Sequence, residues 1–156
     1  MGFFSRLFVN AYSPEELVEF LAPLAYTGTK LSREAEQRFI KLPVEVQSRA
    51  LLKGLSKRNE NIRYVCAERL SFFTGTSIEI TEALLRALQD SSQEVRLHAA
   101  NYFRISPLAT VSLYGKLPFP PSLALEPLRT AQRSETDDLV RQALSSAIET
   151  LEKLNT

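Results

Sequence analysis

Apolar residues recur along this chain at intervals of three and four, and the breaks between runs carry helix-capping chemistry. Ser13-Pro14-Glu15-Glu16 supplies a cap, a first-turn proline and two acids at the positive end of a helix dipole. Leu17, Phe20, Leu21 and Leu24 then follow at helical spacing, and Tyr26 to Thr29 end the run. The spacing predicts a short helix over 33–41, with Phe39 and Ile40 apolar. Pro43 opens the next helix, striped by Val46, Ala50, Leu51 and Leu55. Asn59 caps a helix carrying Ile62, Cys66, Leu70 and Phe73, which ends in Thr74 to Ser77. Two more helices are predicted over 78–89 and 92–105. Ser106-Pro107 then reads as a fresh cap, with Leu108, Val111 and Tyr114 on a short helix ending at Gly115. KLPFPPS reads as an extended connector, because proline disfavours helix in the residue before it. The last pair of helices spans about 122–132 and 136–154.

Two of these pairs are copies. ALLKGLSKRNENIRYVCAERL begins at Ala50 and ALLRALQDSSQEVRLHAANYF begins at Ala83, in register without a gap at an offset of 33 residues. Ala, Leu, Leu, a base, Leu, an Ile/Val-Arg step and a small pair (Cys66-Ala67 against Ala99-Ala100) coincide. A period of that size built from two helices is a solenoid signature, because a single hairpin cannot bury its apolar stripe alone.

These residues resemble the HEAT-repeat family, in which an acid in the turn precedes Val-Arg by a few residues. Asp90, Val95 and Arg96 carry the pattern, as do Glu135, Val140 and Arg141, and Pro127 sits where that family often has a proline. Ile62-Arg63 match too, but Lys57 stands in the acid's place. The resemblance covers about 44–154. It implies that acid and arginine tie neighbouring repeats together, and that Arg96 is structural. It also implies the fold: all-α, a right-handed α-solenoid of about three HEAT-like helical hairpins with a degenerate N-terminal cap. The cap would be 1–42, the hairpins 43–74, 77–105 and 122–154, and an insertion 106–121, all in one domain.

Composition narrows the function classes. The 156 residues carry 44% apolar and 24% charged side chains and a net charge of +1, so no global field recruits nucleic acid or an anionic membrane. One cysteine excludes an intramolecular disulfide framework and fits a reducing, cytoplasmic setting. No apolar run approaches a membrane span, and MGFFSRLFVNAY is too short and too interrupted for a signal peptide. One histidine and one cysteine do not make a closed metal site, and no cofactor is expected. His98 reads as structural or as a surface residue, and Cys66, in the slot that alanine fills in the next copy, as a small buried apolar residue. A Cys-His nucleophile pair would require Cys66 exposed. With no glycine-rich phosphate loop and no paired carboxylates, a non-enzyme is expected.

Four surfaces remain. Second helices of the hairpins would present Tyr64, Glu68, Leu97, Asn101 and Arg104, with Arg141 and Ser145 beyond them. This mix of aromatic, aliphatic and polar groups suits a protein-binding groove. Arg49, Lys53 and Lys57 share one helical face and read either as a solvated outer face or as a site for an acidic protein or phosphates. Tyr114 and Phe119, in the insertion, read either as a cover for the solenoid edge or as partner contacts. Phe4, Leu7 and Phe8 share a face near the start of the chain, which would seal the first hairpin or make peripheral contact with a membrane or partner through Phe3–Phe8.

The expected function is a non-catalytic protein-binding scaffold, adaptor or assembly factor acting on another protein, with homo-oligomerisation as a way to seal the stack's ends. Hairpins of this type are also similar to the repeats of phycobilin lyases and phycobilisome-processing proteins, which implies a bilin or phycobiliprotein as cargo. HEAT-like DNA glycosylases offer a third comparison. It is the poorest fit, because the inner row is mixed rather than basic and tryptophan is absent.

Overall fold

The computed structural model describes residues 12–22, 30–74 and 77–155. Among these the chain is all-helical, with eight helices and no strand. They are α1 (Pro14–Leu21), α2 (Lys30–Phe39), α3 (Val44–Gly54), α4 (Glu60–Ser71), α5 (Ile78–Ala87), α6 (Gln93–Tyr114), α7 (Pro121–Ser134) and α8 (Asp138–Leu154). The chain divides into two compact units, Met1–Cys66 and Ala67–Thr156, with the boundary inside α4.

In the first unit α1 packs on α2 and α3. The start of α1 is set locally. Ser13 Oγ accepts from Glu16 N at 3.3 Å, and the Glu16 carboxylate accepts from Ser13 N at 2.7 Å, a closed capping box. The apolar stripe of α1 then buries Leu17, Val18 and Leu21 against Ala35, Phe39, Ala50 and Leu51 in the unit's core. Each fully buried leucine contributes about 2 kcal/mol. Gly54 ends α3 where Cys66 packs. A Cβ added there would fall inside the contact radius of Cys66 Sγ and lie 3.2 Å from Val18 Cγ1. The α2 run begins and ends earlier than its spacing predicts. It stops at Phe39, and Ile40 and Val44 are exposed in and after the turn that Pro43 closes as the cap of α3.

In the second unit α8 packs along both α6 and α7, and α5 packs on α6 and α7. The core runs through Leu84, Val95, Phe103, Leu128, Val140, Leu144 and Leu151. Asp137 caps α8, its Oδ1 accepting from Leu139 N and Val140 N at 3.0 Å each.

The expected break at Ser106-Pro107 does not occur. Helix α6 runs unbroken to Tyr114, so most of the expected 106–121 insertion is helix, and the connector is only 115–120. Proline inside a helix deprives the carbonyl four residues back of its donor and costs about 3 kcal/mol. Long-range packing offsets that cost. Pro107 is buried, and the Ser106 hydroxyl donates to Phe73 O at 3.0 Å. Phe119 stacks on Tyr102 and packs edge-on against Phe103, at centroid distances of 6.0 and 5.6 Å. Gly115 (φ 66°) then terminates α6 in the left-handed conformation, its N–H donating to Val111 O at 2.9 Å.

Candidate functional site

Three arginines make the same local bond. Arg63 donates to Lys57 O and Arg58 O at 3.1 and 2.9 Å, Arg96 to Asp90 O and Ser91 O at 2.9 and 3.3 Å, and Arg141 to Glu135 O and Thr136 O at 2.9 and 3.3 Å. Each guanidinium therefore reaches back six and five residues and satisfies turn carbonyls. Arg96 does more. Its Nε and Nη2 hold the two oxygens of Glu135 at 2.8 and 3.0 Å, a bidentate pair whose carboxylate is 5% exposed. Glu135 also accepts from Thr136 N and Asp137 N. The Arg96 bond, with these backbone donors, holds the Glu135 carboxyl below its ordinary pKa against the opposing effect of burial. Arg96 is thus occupied inside the fold, and its two partners, turn and acid, account for it without any ligand.

A second buried polar group fixes the α5–α6 hairpin. Thr81 Oγ1 lies 3.0 Å from Tyr102 Oη and 3.2 Å from Ser77 O. Burial raises the Tyr102 pKa, with hydrogen bonds to Thr81 and Ser106 opposing it. With Thr81 donating to Ser77 O and Ser106 to Phe73 O, the tyrosine donates its single proton to one of the two hydroxyls, and each of these three hydroxyls has a partner.

The surface left over lies on the opposite side of α6. Leu97, Asn101 and Arg104 stand at i, i+4 and i+7; Leu97 and Asn101 are half-buried and Arg104 is exposed. Because α6 does not break, Leu108, 51% exposed, continues the row at i+11. Arg104 Nε donates to Asn101 Oδ1 at 3.3 Å, and its guanidinium makes no ion pair among the described residues. Glu68 is half-buried, and its charge, with that of Glu94, opposes the lowering of the His98 pKa that burial imposes. Tyr64 is half-buried in the first unit, whereas the other four groove residues belong to the second.

The basic stripe is committed within the first unit. Lys53 Nζ meets Glu15 Oε1 at 2.6 Å, and Lys57 Nζ meets Glu19 Oε1 at 2.8 Å. Lys57 lies past the end of α3, yet the four-residue step of the lysines matches the four-residue step of the acids on α1. Glu15 titrates lower because of its bond to Lys53, and Lys57 higher because of Glu19. The stripe therefore presents paired charge, with Arg49 beside Glu15.

Of the two residues expected in the insertion, Tyr114, at the end of α6, is 58% exposed, but Phe119, in the connector, is 3% exposed inside the aromatic cluster with Tyr102 and Phe103. Phe119 is a core residue rather than a partner contact, because the return of the chain after Gly115 turns its ring inward. Cys66 is fully buried, not exposed as a nucleophile needs to be. The Phe3–Phe8 segment lies outside the described residues. Among the described residues no cluster of three or more His, Cys, Asp or Glu is placed to hold a metal ion, and no helix is long and apolar enough to cross a membrane.

Comparison with protein-family models, curated proteins and solved structures finds no match to the chain. Sequence reasoning missed two things here. The extension of the α6 row to Leu108 was hidden by Pro107. The acids that neutralise the lysine stripe lie 38 residues away and leave no local mark.

Proposed function

We propose that this chain is a non-catalytic protein-binding scaffold, adaptor or assembly factor, built as a right-handed stack of HEAT-like hairpins. Support for the stack is the thrice-repeated arginine-to-turn bond at 63, 96 and 141, together with the Arg96–Glu135 pair, which joins the acid of one turn to the arginine of another. One observation carries the binding role. The α6 row offers two leucines, an amide and a guanidinium without an ion pair, on a rigid helix whose other face is fully used in the core. Such a surface binds through preorganisation, since its backbone is already ordered and only side chains lose freedom on association. The row's composition, with apolar ends and a polar centre, is that of a protein surface rather than of a phosphate track.

The test is affinity capture from the native host's lysate with wild type and with a Leu97→Ala/Asn101→Arg double variant, both checked by circular dichroism and thermal melting. A protein retained by wild type and lost by the folded variant supports the reading. The same protein retained by both removes the α6 row as the binding surface. Retention of nucleic acid, with affinity falling steeply in salt, replaces protein binding altogether.

A further inference from the structure

We infer that the α6 face takes an amphipathic helix of a partner protein, carrying one carboxylate opposite Arg104 between two apolar side chains that meet Leu97 and Leu108. This rests on the reading of that face as a protein surface, and adds what the occupant is.

The geometry is that of a ridge. At 3.6 residues per turn, positions 97, 101, 104 and 108 fall within about 60° of one another around α6. They form a straight line, with Leu97 about 10 Å to one side of Arg104 and Leu108 about 6 Å to the other. A ridge spaced by threes and fours fits the groove between similar ridges of another helix. An extended chain would instead need a series of main-chain hydrogen-bond partners. This row offers only Asn101 and Arg104 for that purpose, and they are bonded to each other.

Charge sets the sign of the partner. Asn101 Oδ1 takes the Nε–H of Arg104, which fixes the plane of the guanidinium and leaves its terminal N–H groups without an ion pair among the described residues. That fork matches a carboxylate in the bidentate mode. Apolar contacts at Leu97 and Leu108 would exclude water from both ends of the pair and strengthen it. The two α8 bases, Arg141 and Lys153, and the two α7 bases, Arg129 and Arg133, are paired already, and Arg96 is held by Glu135, so on these three helices Arg104 is the cation left to recognise an anion.

The spacing makes the occupant's sequence specific. Running beside α6, the partner helix places an Asp or Glu with an apolar residue four positions to one side and another seven positions to the other; the order reverses with helix direction.

The probe is a displayed library of 18-residue peptides on an alanine- and glutamine-rich helical background, randomised along one face. Selection uses the full-length protein, with a folded Leu97→Asp/Leu108→Asp variant for counter-selection. The expected enrichment is an acid flanked at four and seven by apolar residues, in peptides that gain helical circular dichroism on binding. Arg104→Glu is expected to weaken these peptides by about tenfold, as loss of a close charge pair does, and a Lys in place of the peptide's acid is expected to recover binding to that variant. Arg104→Gln, which keeps the side-chain length, gives an intermediate loss if the charge matters. Peptides that depend on Leu97 and Leu108 but lack the acid, or that alternate apolar residues every second position, overturn the helix-with-carboxylate inference and leave the face as a protein surface. If no enriched peptide depends on the face at all, the inference and the reading of the face fall together.

Discussion

The two in-register copies, 50–70 and 83–103, differ at the places where they are most tightly built. In the first copy, Gly54 and Cys66 occupy the close contact between helices; in the second, the corresponding residues are Ala87 and Ala99. One copy has no side chain on one helix and a sulfur on the other, and the second carries a buried methyl group at each of the two positions. The turns differ in the same way. Asp90 opens the second turn, and its Arg96 is locked to Glu135, whereas Lys57 opens the first and pairs outward with Glu19. The repeat thus specifies that the helix contact is lined by small residues and that each turn's arginine reaches back to its carbonyls, and leaves open which small residues these are and which charge opens the turn. That is why the copies align in register with limited identity.

The sharpest way to break this comparison is at Arg96. Arg96→Ala removes both bonds to Glu135 and both to the turn carbonyls, and leaves a carboxylate that is 5% exposed without its cation. Breaking one partner of such a pair costs about 3 kcal/mol, read as a fall in the urea midpoint with unchanged slope. The pair also sets an acid limb. The Glu135 carboxyl is depressed in the fold, so its contribution is complete above the ordinary carboxyl pKa of about 4.3 and is lost as pH falls through the lower folded value. Stability of wild type is expected to hold from neutral pH down to about 5 and to drop below 4. In Glu135→Gln the drop should be shallower, starting from a lower plateau. An equal slope in both proteins would assign the acid limb to other carboxylates.

At the helix contact the comparison predicts a compensation. Gly54→Ala forces a methyl group into Cys66 Sγ and costs about 2 kcal/mol, in the range of core overpacking. Adding Cys66→Ala turns the first copy's pair into the second copy's and is expected to return most of that loss. A double variant as unstable as the single one would mean that Val18, the next atom along at 3.2 Å, sets the limit instead.

Much of this was legible beforehand, and the boundary is physical. Features decided within a few residues were readable: the Ser13 cap with its first-turn proline and acids, the Ile/Val-Arg step and the small pair at Cys66-Ala67. So was the all-helical class, since apolar period is a property of each segment. What sequence reading misplaced depends on residues far along the chain. Pro107 looks like a helix start from its neighbours alone; it is buried inside α6 next to Ser106, whose hydroxyl donates to the distant Phe73 carbonyl. Phe119 itself reads the same in a proline-rich connector whether it faces inward or outward. The groove row was named as far as Arg104 and stopped there only because the helix was expected to stop.

The lysine stripe gives the smallest expected effect, and it separates charge that is merely visible in a sequence from charge that is available. Lys53 and Lys57 share a face and look like a basic patch, but each nitrogen is within 2.8 Å of a carboxylate on α1. Exposed pairs of this kind contribute little, because water screens them and two long side chains must be held still. Lys53→Ala/Lys57→Ala should therefore leave the unfolding midpoint nearly unchanged and should not alter retention on a heparin column at moderate salt. The informative change is to the acids. Glu15→Gln/Glu19→Gln frees both lysines without moving the fold, and retention on heparin should then rise. Strong retention of the wild type, lost on removing the lysines, would show instead that the pairs open readily and that the stripe acts as a polyanion site.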